Sequence, residues 1–190
     1  MVSSLTLYAG LVALVGVERL FELRLSRRHA AAAFARGGVE VGRGHYRVMT
    51  VFHTAFLAAC VGEAWLAGRP FPGALGWAAL AGAVAAQGLR YWAITTLGER
   101  WNTRIIVLPG AAPVTAGPYR YMKHPNYLAV IVELLCLPLV HGAWATALAF
   151  SLGNAALLAV RVRAEEDALG RRYAAAFEGR PRFIPEAPRG

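Results

Sequence analysis

Charged residues are scarce in this chain. Of its 190 residues only 16% are charged, whereas 57% are hydrophobic, and the mean hydropathy is +0.42. Soluble domains carry about 25% charged residues, so this composition excludes an ordinary soluble domain and indicates a membrane protein. The sequence has no internal repeat and no low-complexity tract, and we expect one domain over residues 1–190.

Lysine and cysteine are nearly absent. Lys123 is the only lysine, and with 19 arginines it outweighs 11 acidic residues to give a net charge of +9. Because these charges lie between apolar runs, they favour an anionic membrane surface as partner and no nucleic acid. Cys60 and Cys136 lie within apolar runs, so we interpret them as small core residues that indicate neither a disulfide nor a metal site.

A helix needs about 20 mainly apolar residues to cross a bilayer, and the chain offers five candidates. They predict an all-α fold, an integral membrane bundle of about five transmembrane helices. The first run lacks the charged start and the small-residue cleavage site of a signal peptide, so we expect it to be retained. The predicted helices cover residues 3–23, 48–66, 74–97, 126–140 and 143–163.

A few charged residues lie in or beside these predicted helices. Glu18, Arg19 and Glu22 either pair along the first helix or extend to the membrane interface. Arg90 must face protein or a lipid headgroup, because a charge exposed to lipid is costly. Glu133 lies inside the fourth helix, as either a functional residue or a paired core residue.

Basic residues alternate between the two sides of the bundle. From residue 24 onward, the first, third and fifth segments that follow the predicted helices are basic. The second is poor in Arg and Lys, and the fourth contains neither. The positive-inside rule then puts the N-terminus outside and the polar tail, residues 164–190, in the cytoplasm. The conspicuous polar clusters share that side, which predicts a cytoplasmic cofactor pocket. A bias toward Ala, Gly and Arg indicates a bacterial inner-membrane protein.

Residues 105–108 form a brief apolar run between the third and fourth helices. We predict that this run is either a short strand or a segment on the membrane surface.

Residues 117–127 are polar, aromatic and cationic between two apolar regions. Pro118 and Pro125 each disfavour a helical conformation of the preceding residue, so the segment is predicted to be a shaped loop leading into a helix. It concentrates side chains that bind anions, stack on rings and donate hydrogen bonds. These are Tyr119, Arg120, Tyr121, Lys123, His124, Asn126 and Tyr127.

Two adjacent carboxylates, Glu165 and Glu166, follow the last apolar run on a continuing helix. They point about 100° apart, so only one of them squarely faces a given pocket. We expect this to be Glu166, which shares a face with Leu169 and Tyr173, while Glu165 pairs with Arg161. The alternative is a solvated helix end with ordinary ion pairs.

Four motifs, in order along the chain, resemble those of the isoprenylcysteine carboxyl methyltransferase family. They are Gly-Pro-Tyr at 117–119, Lys-His-Pro-Asn-Tyr at 123–127, Glu-Glu-Asp-Ala-Leu at 165–169 and Pro-Arg-Phe-Ile-Pro at 181–185. The resemblance covers about residues 87–185. Lys123 stands where the family commonly has arginine, so a point charge replaces a planar fork there.

The resemblance implies a methyltransferase that uses S-adenosylmethionine to O-methylate a lipophilic substrate at the membrane surface. The acceptor is either a prenylcysteine-like carboxylate or the hydroxyl of a polyketide phenol or pyrone. A carboxylate needs mainly alignment and desolvation, whereas a phenol needs a base. The alternatives are a phospholipid N-methyltransferase, an NADPH oxidoreductase like the sterol reductases, and a non-catalytic membrane scaffold or transporter.

The motifs and the polar clusters together indicate which residues form the site. We expect membrane lipids around the protein and no metal in the site. The expected catalytic residues are Glu166, His124 and Arg182. The expected cofactor-binding residues are Gly117, Tyr119, Arg120, Lys123, His124, Pro125, Tyr127, Glu165 and Glu166. The expected substrate-binding residues are Arg90, Trp101, Arg104, Tyr173 and Glu133.

Overall fold

The regular structure of the protein is almost entirely helical. The computed structural model describes residues 3–186, and it contains the five long helices that the hydropathy predicts, so the all-α prediction is confirmed. Their bounds are α1 Ser4–Ala35, α2 Arg43–Leu66, α3 Ala74–Leu97, α4 Pro125–Leu139 and α5 Trp144–Ala176.

The bundle turns apolar side chains outward. Within residues 3–186, three segments are long and apolar enough to cross a membrane, namely α1, Tyr46–Leu66 of α2, and α5. α4 is a shorter apolar helix of 15 residues. Leu14, Trp65 and Leu152 remain largely exposed, which is unfavourable in water but favourable against lipid chains. The chain is an integral membrane protein built as a helical bundle.

Three helices extend beyond the apolar runs that predicted them. The predicted end of α1 is residue 23, but the helix ends at Ala35; α2 begins at Arg43 rather than at residue 48. α5 continues past residue 163 to Ala176. Hydropathy marks only the apolar part of a helix, whereas a helix continues into water wherever good helix formers such as Ala and Arg follow. Much of the predicted polar tail is therefore helical, and its residues 187–190 lie outside the described part.

A two-stranded antiparallel ribbon connects two segments that are distant in sequence. Strand β1, Val39–Val41, pairs with strand β2, Ile105–Val107. Of the two predictions for residues 105–108, the strand is therefore the one that the structure contains. The ribbon fastens the connection between α1 and α2 to the segment that joins α3 to α4.

Helix contacts are uneven around the bundle. α3 and α4 make the most extensive contact, and α1 touches α2 much less. α3 buries a face of small side chains, including Ala79, Ala83 and Ala86, and small residues let helix backbones approach closely in membranes. The looser contact on the other side leaves a gap between α1 and α2.

Candidate functional site

A cavity of about 930 Å³ lies where the long connections meet. We call this end of the bundle, formed by residues 98–124 and 164–186, the polar end. The cavity is lined by residues from the connection after α3, from the start of α4 and from the second half of α5. Val17 of α1 and Thr54 of α2 also line it and are exposed. The cavity therefore joins the polar end to the gap between α1 and α2.

The segment before α4 is shaped by one glycine and two prolines. Gly117 has a φ of +55°, and a Cβ there would lie only 2.9 Å from Thr96 Cγ2 of α3. Pro118 lies in a short 3-10 turn and Pro125 is the first residue of α4, where the missing N–H of proline is no loss. This backbone holds four predicted site residues at the cavity, namely Tyr119, Lys123, His124 and Tyr127.

His124 is almost completely buried and is held by Glu166. Its Nε2 lies 3.0 Å from Glu166 Oε1. Because a carboxylate only accepts hydrogen bonds, Nε2 donates and the neutral ring keeps its lone pair on Nδ1. Arg182 donates to the same carboxylate through Nη2, 2.6 Å from Oε2, and Nε, 3.1 Å from Oε1. Hydrogen bonds to Glu166 raise the pKa of Arg182 above its ordinary value.

A second series of hydrogen bonds runs beside the first. The hydroxyl of Tyr127 donates to Glu165, and Arg161 Nε donates to the Tyr127 oxygen at 2.8 Å. Arg161 Nη2 also donates to the backbone carbonyl of Thr103 at 2.7 Å. These bonds join α4, α5 and the connection after α3, and they fix the carboxylate of Glu165 at the cavity wall.

The structure reverses the predicted orientation of the adjacent carboxylates. Glu165 lines the cavity with Leu169 and Tyr173, whereas Glu166 does not line it. Glu165 is also not bonded directly to Arg161, because a tyrosine hydroxyl lies between them. Leu169 and Tyr173 are at helical spacing from both glutamates, so the sequence pattern did not distinguish the two.

The segment from Pro181 to Pro185 docks on the loop before α4. The backbone N–H of Lys123 donates to the carbonyl of Pro181 at 2.9 Å, and that of His124 donates to the carbonyl of Arg182 at 3.0 Å. The last of the four motifs is therefore an ordered wall behind His124 rather than part of a free tail.

Aromatic side chains line the cavity at the polar end, the part that we call its mouth. Tyr119 and Tyr173 line it and pack with Phe177. Burial raises the pKa of Tyr119, so its hydroxyl stays un-ionised. Trp101 and Asn126 line the cavity as well. The indole Nε1 of Trp101 and the amide Oδ1 of Asn126 are buried and have no hydrogen-bond partner in the described part of the chain. A bound ligand can use this donor and this acceptor.

Basic side chains surround the same mouth. Lys123 and Arg171 line the cavity. Arg104 lines it too, but it forms an ion pair with Glu40 of β1, with Nε 3.2 Å from Oε1. Its guanidinium carbon also lies 5.6 Å from the centre of the Tyr46 ring. Arg104 is therefore tied to the ribbon, while Lys123 and Arg171 give the mouth its positive charge.

Several predicted site residues lie away from the cavity wall. Gly117 and Pro125 shape the backbone, and Arg120 is exposed at the surface of the polar end. The side chain of Arg182 is bonded to Glu166 and does not reach the cavity. None of these residues lines the cavity, and a role for them in ligand binding stays a prediction.

A group of paired charged side chains lies at the inner part of the cavity, where Arg19, Glu22 and Arg90 line the wall and Glu133 does not. Arg90 Nη2 donates to Glu133 Oε2 at 2.7 Å, so Arg90 faces protein and Glu133 is a paired residue. Arg19 donates to the same oxygen at 3.1 Å and to Glu22 Oε2 at 2.6 Å. The predicted boundary of α1 put Arg19 and Glu22 at a helix end, and for this reason the sequence did not assign them to the site.

Apolar helices around a cavity with carboxylate, cationic and aromatic walls define an integral membrane protein with a large cavity at its polar end. The family model for the isoprenylcysteine carboxyl methyltransferase (ICMT) family matches residues 77–171. The chain is 41% identical over 160 residues to the uncharacterized protein YpbQ of Bacillus subtilis, covering 84% of this chain and 94% of that protein. It is 32% identical over 154 residues to an uncharacterized protein of Haemophilus influenzae, covering 80% and 88%.

The chain belongs to the ICMT family, and it is a methyltransferase of that type. The resemblance seen in the sequence is thereby confirmed. The motifs at 117–119, 123–127 and 165–169 lie within the matched residues, and the motif at 181–185 lies beyond them.

Proposed function

We propose that this protein uses S-adenosylmethionine to O-methylate a lipophilic acceptor at the membrane surface. Methyltransferases of the ICMT family are generally dependent on this cofactor. The observation that carries the proposal is the continuous cavity of about 930 Å³, which joins Glu165 at the polar end to the gap between α1 and α2. Its polar half suits a charged cofactor, and its apolar half suits a lipid chain.

The polar half of the cavity offers groups that fit S-adenosylmethionine. The carboxylate of Glu165 attracts the sulfonium or ammonium cation, and Lys123 and Arg171 attract the cofactor carboxylate. The unpaired Trp101 Nε1 and Asn126 Oδ1 provide a donor and an acceptor for the polar edges of adenine or ribose. When bound, the cofactor supplies a methyl group on an electron-poor sulfur.

His124 is the group best suited to accept a proton from a hydroxyl acceptor. It lines the cavity, and its hydrogen bond to Glu166 leaves Nδ1 as the basic atom of the neutral ring. Methylation of a hydroxyl oxygen releases one proton, which Nδ1 takes up; a carboxylate acceptor has no such proton and needs only alignment. Glu166 and Arg182 act through His124 and are positioning residues in this mechanism.

The distribution of charge supports one orientation in the membrane. The basic connections lie at the polar end, so by the positive-inside rule this end is cytoplasmic in a bacterial inner membrane and the N-terminus is outside. The cofactor then reaches the cavity from the cytoplasm, and the chain of the lipophilic acceptor reaches it between α1 and α2.

Calorimetric titration of the detergent-purified protein with S-adenosylhomocysteine tests the proposal. We expect binding, with a Kd about tenfold higher for Glu165→Gln, since this loss corresponds to about 1.4 kcal/mol. Glu166→Gln is the matched control, because it makes the same change one residue further along, away from the cavity. It should leave the Kd within about threefold and reduce turnover through His124.

A separate titration with NADPH tests the alternative functions. Binding of NADPH without S-adenosylhomocysteine indicates an oxidoreductase, and binding of neither ligand indicates a scaffold or transporter. If radiolabelled S-adenosylmethionine and bacterial lipid extract yield an N-methylated phospholipid as the product, O-methylation is wrong.

A further inference from the structure

The inner part of the cavity contains charged side chains that the methyl transfer does not use. Arg19 and Glu22 of α1 and Arg90 of α3 line the cavity there. They belong to a hydrogen-bonded group drawn from three helices. We call this group the inner cluster, and its members are Glu18, Arg19, Glu22, Gln87, Arg90 and Glu133.

The inner cluster lies deeper in the bundle than the polar end. On α4, Glu133 follows Tyr127 by six residues, which is about 9 Å of helix rise. On α1, Arg19 precedes Ser26, whose hydroxyl is bonded to the connection after α3. A ligand group held by the inner cluster is therefore a different group from the one that reacts beside His124.

The inner cluster carries one excess negative charge, with three glutamates and two arginines. His53 lines the cavity at the same depth; its Nδ1 donates to the carbonyl of Met49 at 2.8 Å, so the neutral ring presents Nε2 as an acceptor. An anionic group that entered here would add a second excess negative charge where water does not screen it. The inner cluster therefore disfavours a carboxylate.

Two atoms of the inner cluster have unused hydrogen-bonding capacity. Glu22 Oε1 and Arg19 Nε are buried and have no hydrogen-bond partner within residues 3–186. The distance from Glu22 Oε1 to Arg90 Nε, 3.9 Å, is too long for a hydrogen bond. Glu22 is only 7% exposed, and Arg19 Nη1 donates to its other carboxylate oxygen at 2.6 Å, so the free acceptor and the free donor belong to one bonded pair of side chains. A hydroxyl matches both, because it donates and accepts, whereas a carboxylate only accepts.

We propose that Arg19 and Glu22 form a subsite for an un-ionised hydroxyl group on the chain of the methyl acceptor. The hydroxyl donates to Glu22 Oε1 and accepts from Arg19 Nε. This subsite selects a hydroxylated lipid over the same lipid with a carboxylate at that depth. That the ligand is a methyl acceptor rests on the proposed function, but the selectivity is a property of binding alone.

Binding of dodecan-1-ol and of dodecanoate to the protein in phosphatidylcholine nanodiscs tests the subsite. Ligand stabilisation is followed by thermal unfolding at about pH 9, where the carboxylate is ionised. We expect the wild type to bind the alcohol about tenfold more tightly, and Glu22→Gln to reduce this preference to about twofold. Glu18→Gln removes the same charge from the same cluster, but Glu18 does not line the cavity. This control should therefore lose only the part of the preference that comes from net charge and keep the part that comes from the hydrogen bonds of the subsite.

Equal binding of alcohol and carboxylate by the wild type overturns the proposal, as do equal effects of the two Glu→Gln changes. If Glu22→Gln does not fold, Arg19→Lys decides, because it keeps the charge and removes the Nε donor. Unchanged alcohol binding by Arg19→Lys overturns the proposal, and a loss of several fold supports it. Titration of the same wild-type sample with S-adenosylhomocysteine tests the proposed function separately. The comparison of alcohol and carboxylate binding needs no cofactor.

Discussion

His124 takes its surroundings from widely separated parts of the chain. Its ring stacks on Tyr127 with ring centres 5.3 Å apart, its Nε2 is bonded to Glu166 of α5, and its backbone N–H is bonded to the carbonyl of Arg182. A neutral imidazole with one nitrogen committed to a carboxylate has a defined tautomer and orientation. The geometry of this one side chain therefore depends on α4, α5 and the segment after α5 together.

Gly117 is the residue whose replacement should disturb the polar end most directly. We expect Gly117→Ala to lower the free energy of unfolding by about 1–2 kcal/mol through its positive φ and by about 1–3 kcal/mol more through overlap with Thr96. Gly110→Ala is the control, because Gly110 has a φ of +76° and no atom near a new Cβ. Thermal unfolding measures both variants, and equal losses would contradict the contribution of the Thr96 contact.

Some residues of the site were predictable from the sequence and others were not. The Gly-Pro-Tyr and His-Pro motifs marked the loop because proline and glycine restrict backbone geometry locally. The predicted orientation of Glu165 and Glu166 differs from the structure, because it depends on how α5 is rotated about its axis, and the contact of Glu165 with Tyr127 of another helix has no local signal. Which of the two binds the cofactor stays a prediction. Arg19 and Glu22 escaped assignment for a similar reason, since their neighbours come from other helices.

Helix α5 is kinked at a glycine. Gly170 interrupts it with φ 70° and ψ −163°, a conformation that is essentially restricted to glycine. The residues after this break include Tyr173, which packs near Tyr119 at the mouth of the cavity. The break therefore decides where the last turns of α5 lie relative to the site.

Gly170→Ala should favour a straight helix and move Tyr173 away from the mouth. We expect the Kd for S-adenosylhomocysteine, measured by calorimetry, to rise about fivefold or more, because a wall of the polar half is lost. Ala174→Gly is the control; it weakens the same segment by about 1 kcal/mol of helix propensity without removing the break. Equal affinity of Gly170→Ala and the wild type would show that the bend has no part in binding.

The five helices were predictable as elements because long apolar runs have few other stable structures in a membrane. Their ends were less so. Residues 24–35 are rich in Arg and Ala, which hydropathy treats as a connection although both residues favour a helix. A strand was only one of two predictions for residues 105–108, because the pairing of β1 with β2, which is distant in sequence, has no local signal. The division of the chain as a single domain stays a prediction.

The molecule as a whole has its polar end on one side and short connections on the other. If the polar end is cytoplasmic, Ala111→Cys should be protected from a membrane-impermeant maleimide in sealed right-side-out vesicles, and Ala67→Cys should be labelled. Both changes are made after replacing Cys60 and Cys136 with alanine. The reverse labelling pattern would overturn the proposed orientation, and permeabilised vesicles should label both positions.

The gap between α1 and α2 also affects how the protein behaves outside its own membrane. A cavity that opens toward the bilayer is accessible to any amphiphile dissolved there, including the detergent used for extraction. If the proposed lipophilic acceptor binds there, detergent molecules compete with it, and an apparent KM measured in micelles reflects the surfactant as much as the enzyme. By the same route, the potency of an amphiphilic inhibitor should follow its partition into the bilayer rather than its concentration in water.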